Sequence, residues 1–432
     1  MPAEASLNEQ RGFDAIFVGG GAIGLACAWR AAQRGARVVV LERAEPPAGA
    51  TNVAAGMLAP VGELTFGEPK LLEMTLASSR LYPEFVAALE AASGEPTGYA
   101  AQGALHVALD RDEAEALRRI HDLQRSLGLE AEWLTPRRCR ELEPGLTPSL
   151  NGGVHAPAEA SVDPRALTRA LLAALAAAGV EVRRGTEVVA GLWQGERLAG
   201  VRVAEAGGSG SGAEAQALHA DAVVLATGAW AGQTEWLPEQ ARPPVRPVKG
   251  EVVELRSRDG GAPCGRILAS ERAYLVPRPD GRLIVGATSE ERGFDTTVTA
   301  GGVHELLREA YRLLPDVAEL ELVGAIAGLR PGTPDNLPLI GPGAIDGLLL
   351  ATGHYRNGIL LAPLTAEAIA AHLAGEPPSP TMAATDPLRM SFVTHRVTKD
   401  NRASEVPDRA AELAARGAAL AAAAEEAGEA PR

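Results

Sequence analysis

At 432 residues, with 46% hydrophobic side chains, the chain has enough apolar material for sizeable cores in two or three domains. Its formal net charge of −14 argues against a general binder of nucleic acid or anionic membranes, and no run of about 18 apolar residues reads as a membrane span. Three cysteines, Cys27, Cys139 and Cys264, are odd in number and far apart, which fits reduced thiols in a cytoplasmic protein better than disulfides or a metal site.

Residues 1–11 contain no apolar run flanked by basic residues, so no secretory signal is expected. The pattern then predicts a strand over 15–18, a glycine turn, a helix over 22–34 and a second strand over 37–42, a βαβ half-unit. Gly19-Gly20-Gly21-Ala22-Ile23-Gly24 fits G-x-G-x-x-G in the correct strand-to-helix setting, and Glu42 closes the following strand. Gly19 serves the tight turn, Gly21 the backbone's approach to a pyrophosphate, and Gly24 close helix-to-strand packing. An acidic Glu42 accepts ribose hydroxyls and disfavours a 2′-phosphate, which points to FAD or NAD over NADP. The small residues from Thr51 through Ala54, Ala55, Gly56 and Met57 leave room for something extended and flat, which favours FAD. No second glycine fingerprint follows a strand, so the electrons are expected from an organic substrate and not from a pyridine nucleotide.

Further along, 70–79 reads as a loop with the place of a lid, 166–180 as an amphipathic helix, and 204–217 as a flexible hairpin tip. Buried strands are predicted over 221–226, 283–285 and 348–351, two of them sharing the first sheet. The first and third run into Ala226-Thr227-Gly228 and Ala351-Thr352-Gly353. Alternation over 245–255, 266–277 and 281–287 predicts antiparallel strands of a second, more open sheet. A helix over 359–373 follows a glycine turn, and its N-terminal amides around 357–360 suit the charge of a reduced flavin. Beyond 377 the pattern loosens into a tail, helical over 406–428 or disordered, that is either solvated or an oligomer contact.

Six segments together carry a family resemblance: Val18-Gly19-Gly20-Gly21, Ala54-Ala55-Gly56-Met57-Leu58, Pro247-Val248-Lys249-Gly250-Glu251, Tyr274-Leu275-Val276-Pro277-Arg278, Gly328-Leu329-Arg330-Pro331-Gly332-Thr333 and Gly353-His354-Tyr355-Arg356-Asn357-Gly358-Ile359-Leu360-Leu361. Over about residues 13–375 the chain resembles the glycine-oxidase branch of the D-amino-acid oxidase family of flavoproteins. The resemblance implies an α/β fold with a discontinuous Rossmann-like FAD-binding domain and an α+β substrate domain built on a large mixed or antiparallel sheet. The expected division is 12–95, 149–240 and 328–376 for the FAD domain, 96–148 and 241–327 for the substrate domain, and 377–432 for the tail. It also implies a homotetramer and, in bacteria, supply of the glycine imine for the thiazole ring of thiamine.

The residues expected to face FAD are Gly19, Gly21, Ala22, Ile23, Gly24, Glu42, Arg43, Thr51, Ala54, Ala55, Gly56, Met57, Val188, Thr227, Gly228, His354, Arg356, Asn357, Gly358, Ile359 and Leu360. For a small amino-acid substrate, the resemblance places Arg330 against the carboxylate, where a planar guanidinium binds in bidentate fashion; its alternative is a structural ion pair. Tyr274 is either a second donor to that carboxylate or a core tyrosine, and Arg356 faces either substrate or flavin. Ser289 stands where a bulky apolar residue is expected, so the pocket is read as smaller and more polar, open to sarcosine, D-alanine or D-proline. Hydride removal from a neutral amine leaves an iminium stabilised by nitrogen, so no catalytic base is expected, and His354 reads as a structural histidine beside the flavin. The expected products with oxygen are an α-keto acid, ammonia and hydrogen peroxide. The rival readings are a dehydrogenase of the same fold with another electron acceptor, and a non-catalytic flavoprotein.

Overall fold

The computed structural model describes residues 12–207 and 215–390. The first sheet contains β1 (Phe13–Val18), β2 (Val38–Leu41), β8 (Glu181–Arg183), β9 (Thr186–Gln194), β10 (Arg197–Glu205), β11 (Gln216–Leu225), β17 (Leu339–Pro342) and β18 (Leu348–Thr352). Its central order is β17-β18-β11-β1-β2-β8, parallel except at β17, while β10 and β9 continue antiparallel from β11. Strand β2 is Val-Val-Val-Leu and buried throughout, as a central parallel strand covered on both faces must be. Helices α1 (Ala22–Gln33), α2 (Gly49–Val53), α3 (Pro69–Ser93), α6 (Pro164–Ala177) and α8 (Gly358–Leu373) accompany this sheet. Leu25 and Trp29 of α1, Leu167 and Leu171 of α6, and Ile369 of α8 share one core with Phe17 and Val40. Helix α6 starts where Asp163 accepts from the amides of Arg165 (2.9 Å) and Ala166 (3.3 Å) with Pro164 behind it, a cap worth about 1 kcal/mol.

The second sheet contains β4 (Ala104–Ala108), β5 (Glu132–Leu134), β6 (Gly152–Ala156), β12 (Arg246–Arg256), β13 (Ile267–Ala269), β14 (Tyr274–Pro277), β15 (Arg282–Gly286) and β16 (Glu321–Gly332), in the order β16-β12-β15-β14-β13-β4-β6-β5. It is mixed: β13 runs parallel to β4 and the other neighbours pair antiparallel. Helix α7 (Ala300–Leu313) covers one face through Leu306, Ala310 and Leu313 against Leu255, Leu275 and Val285. The other face presents Val252, Val276 and Ile284 to Ala55. Helices α4 (Arg111–Ser126) and α5 (Pro136–Leu142) flank the β5–β6 edge, and a two-stranded ribbon, β3 (Met57–Leu58) with β7 (Ala160–Ser161), completes the described elements. The α/β expectation of one parallel and one mixed sheet holds.

Of the three buried strands expected, 221–226 and 348–351 share the first sheet and 283–285 falls in the second, as the alternation over 281–287 predicts. Three local expectations change. Residues 266–277 form two strands, because Ser270–Ala273 turns the chain, with Ser270 N donating to Ala273 O at 2.8 Å. Residues 70–79 are no loop but the opening turns of α3, where Pro69 sits at the helix start and Leu71, Met74, Thr75 and Ser78 are buried. Strand β6 lies beyond the expected boundary at 148, and β16 runs past 327 to Gly332. In the tail, Pro380–Thr385 and Pro387–Met390 are short 3-10 turns, and 406–428 lies outside the described residues.

Candidate active site

A cavity of about 750 Å³ runs from the C-terminal ends of the parallel strands to the inner face of the second sheet. At one end stands the glycine turn. Gly19 has φ +114°, and a Cβ at Gly24 would overlap the Gly19 carbonyl oxygen, so the packing of α1 on β1 requires glycine at both points. Glu42, only 9% exposed, accepts from the amides of Gly20 (2.6 Å) and Ala44 (2.8 Å). Each carboxylate oxygen keeps a further lone pair. Arg43 stacks on Trp230 at 4.4 Å from the ring centroid, and both residues line the cavity with Val188. The Ala22 amide donates to Thr51 Oγ1 at 3.1 Å; Gly19, Gly21, Ala22, Ile23 and Thr51 all line the wall.

The middle of the cavity is lined by Ala54, Ala55, Gly56, Met57, Thr227, Gly228, His354, Gly358 and Ile359. Arg278, 3% exposed, holds this wall from behind by donating to the Ala55 carbonyl and to Ser161 Oγ (3.2 Å). The Thr227 hydroxyl is buried without a partner among the described residues. His354, 2% exposed, lies 3.0 Å from Thr365 Oγ1, and burial lowers its pKa to about 3, so its ring is neutral at physiological pH.

At the far end, Arg330 and Tyr274 stand together. Arg330 Nη1 donates to the carbonyls of Thr288 (3.1 Å) and Lys249 (3.3 Å), which aims the guanidinium and leaves its other donors for the cavity. Cβ atoms at Gly250 and Gly286 would overlap the Arg330 guanidinium and the Tyr274 phenol, so both side chains lie flat across glycines of the sheet. Burial pushes the Tyr274 hydroxyl up to about 12 despite the neighbouring Arg330, which keeps it a neutral donor. Arg356 sits at the rim, 3.5 Å from Thr65 Oγ1 and 3.9 Å from Glu68.

Several expected site residues stand elsewhere. Ser289 is exposed and does not line the cavity, because the chain leaves β15 at Gly286 and it is Thr288, by its carbonyl, that reaches Arg330. Gly24 is buried behind the glycine turn, where it packs. Asn357 faces a smaller neighbouring cavity, and Leu360 points into the core while its carbonyl accepts from Ser78 Oγ at 2.6 Å. Sequence reasoning missed Trp230, Gly250, Gly328, Tyr355 and Glu63, which all line the main cavity. For Trp230 the Ala226-Thr227-Gly228 strand end just before it was a usable signal, whereas nothing in the local pattern singles out Glu63.

The family model described as "FAD dependent oxidoreductase" (DAO) matches residues 14–372. The "Bifunctional protein ThiO/ThiG" of Trichormus variabilis is 39% identical over 360 residues, covering 83% of this chain and 52% of that protein. The chain thus spans about half the length of that relative. A "Glycine oxidase" of Geobacillus kaustophilus is 36% identical over 359 residues, covering 82% of this chain and 90% of that protein. The crystal structure of glycine oxidase from the same organism superposes with a TM-score of 0.78 at 34% identity, covering 87% of this chain and 98% of that one.

Proposed function

The chain belongs to the FAD dependent oxidoreductase family, and from that premise we propose that it oxidises a small amino acid, glycine foremost, at its α-carbon. The observation that carries this reading is the Arg330–Tyr274 pair, a carboxylate clamp at the end of the cavity opposite the glycine turn. Relatives named glycine oxidase support glycine as the first substrate.

The residues present fit FAD. The buried Thr227 hydroxyl has no partner among the described residues, as a polar group awaiting a ligand would stand, and the free lone pairs of Glu42 suit ribose hydroxyls. Glu42, Arg43, Trp230 and Val188 would hold the adenosine end, and the turn at Gly19, Gly21 and Ile23 the pyrophosphate. The wall from Ala54 to Met57, with Thr227, Gly228, His354, Gly358 and Ile359, would hold the ring system. When bound, FAD supplies the two-electron acceptor for the α-hydride. With dioxygen as terminal acceptor the balance is glycine, oxygen and water to glyoxylate, ammonia and hydrogen peroxide.

This chain's own contribution is binding and orientation. The remaining Arg330 donors and the Tyr274 hydroxyl take the substrate carboxylate and so fix the direction of the α-carbon. Gly250 and Gly286 keep the two side chains against the sheet, and the apolar wall of Val53, Met57 and Val252 excludes water around the reacting carbon.

The test is anaerobic addition of glycine to the yellow holoenzyme, followed by air and a peroxide assay. Bleaching and then peroxide is the expected outcome; no bleaching by glycine, sarcosine or D-alanine overturns the reading. Bleaching without peroxide transfers the enzyme to the dehydrogenases. Relatives named ThiO/ThiG support a further part of the proposal, that a ThiG-type partner takes the imine product. A homo-oligomer and a cytoplasmic site complete it, the latter supported by three buried, unpaired cysteines.

A further inference from the structure

The segment 59–64, between β3 and α3, is pinned from three sides. Gln124 Nε2, on the buried side chain of α4, donates to Val61 O at 3.0 Å. Glu159, 1% exposed, accepts from the Gly62 amide, and His106 Nε2 of β4 lies 3.4 Å from the other Glu159 oxygen. A Cβ at Gly62 would overlap the His106 imidazole, so the backbone is pressed flat there. The Glu63 amide closes the turn onto Ala59 O at 3.1 Å. The outcome of this clamping is the placement of one side chain, Glu63.

Glu63 lines the main cavity with Arg330, Tyr274 and Arg356. It also lines a second cavity of about 20 Å³, beside Thr75, Glu68 and Asn357, which is room for about one water. Its carboxylate accepts no hydrogen bond from the described residues, although the groups facing it are mostly cationic or polar: Arg356, His106 and Arg330, with Tyr274 and the like-charged Glu159 and Glu68. Burial raises its pKa, opposed first by Arg356, so the group stands closer to neutrality than an ordinary carboxylate. The other carboxylates lining the main cavity include Glu42, which is already occupied by two amides at the far end.

An amino acid in neutral water carries an ammonium group, and its α-hydride can leave only when nitrogen has a lone pair to stabilise the iminium. The proton must therefore go before the hydride, and the carboxylate clamp of Arg330 and Tyr274 has no acceptor for it. We propose that Glu63 binds the substrate ammonium and takes its proton, releasing it through the second cavity. The N–H bond breaks, its electron pair stays on nitrogen, the proton passes to a Glu63 oxygen, and no oxidant enters this step. It rests on the amino-acid oxidase reading and leaves intact the expectation that no base attacks the C–H bond.

The test uses FAD-loaded Glu63→Gln and Glu63→Asp beside the parent enzyme. Anaerobic bleaching by glycine is followed across pH, together with binding of glycolate, which keeps the carboxylate and lacks the amine. In Glu63→Gln the bleaching rate at neutral pH falls by about 100-fold, the scale of a lost proton acceptor, and climbs with pH as the free amine appears in solution. Glycolate affinity stays within about twofold, because Arg330 and Tyr274 are untouched. Glu63→Asp keeps a parent-like pH profile at a reduced rate; should Glu63→Gln fail to load FAD, an Asp profile that instead rises with the free amine overturns the proposal. An unchanged profile in Glu63→Gln, or glycolate affinity that falls in step with the rate, also overturns it. A parent enzyme that no amino acid bleaches sinks the oxidase reading itself, a different result from a parent that bleaches and a Gln variant that matches it.

Discussion

The guanidinium of Arg330 occupies the space that a Cβ at Gly250 would fill, and Gly250 and Gly328 face each other across β12 and β16 just ahead of it. Two neighbouring strands thus keep side chains out of the way where the Arg330 guanidinium, half of the proposed carboxylate clamp, reaches the cavity. Gly250→Ala is expected to displace the guanidinium and raise KM for glycine about tenfold, equivalent to about 1.4 kcal/mol, with FAD content unchanged. Arg330→Lys, which loses the planar fork, is expected to cost more, about 100-fold in kcat/KM. Steady-state kinetics on FAD-loaded variants checks both, and a Gly250→Ala enzyme with the parent KM contradicts the geometry.

Tyr274→Phe removes one neutral donor to the carboxylate. KM should rise about three- to tenfold, the worth of one hydrogen bond, with a smaller change in kcat. Because the phenol titrates only at about 12, glycolate affinity in the parent should show no tyrosine ionisation between pH 6 and 10. A spectroscopic titration with glycolate at several pH values decides this.

Thr227→Val separates the empty and loaded forms. Without FAD, an unpartnered buried hydroxyl is replaced by a methyl, so Tm should stay level or rise; with FAD a hydrogen bond is lost and affinity should drop by about 0.5–1.5 kcal/mol. The gap in Tm between apo and holo protein therefore narrows. A gap equal to that of the parent would mean that Thr227 does not meet the cofactor.

His354 makes stability depend on pH with a definite sign. Its folded pKa, about 3, lies below the unfolded value of about 6.5, so the unfolded chain binds the extra proton in that window. Its contribution is fully present above pH 6.5 and is lost as pH falls toward 3, by at most about 1.4 kcal/mol per pH unit. His354→Gln should flatten that part of the stability curve measured by denaturant unfolding. An equal slope in parent and variant counts against a neutral, buried ring.

The first half of the fold was legible because its elements are local. The run from Phe13 to Glu42 carries its strand, glycine turn and helix within one stretch, and Gly19 and Gly24 must be glycine for reasons that involve each other and the adjoining strand. Arg330 is named through the family resemblance and Tyr274 as a donor beside it, and both line the main cavity. Less legible were positions whose meaning depends on distant segments. Residues 70–79 have only Lys70 and Glu73 as charged residues and form helical turns in which Leu71, Met74 and Ser78 are buried, and Ser78 bonds Leu360 across 282 residues. Ser289 lies three residues beyond the end of β15 and is exposed to solvent.

The amino-acid order by itself determined the glycine turn, the acidic residue that follows β2 and the strand-to-helix step into α8, since each depends on residue type and near neighbours. Only the tertiary structure decided that Arg330 is aimed by the carbonyls of Thr288 and Lys249, that Glu63 enters the same cavity, and that Ser289 does not. Strand pairing and the packing of β4, α4 and the 157–160 turn against residues 59–64 join positions far apart in the chain, and that convergence has no periodicity for a linear pattern to reveal.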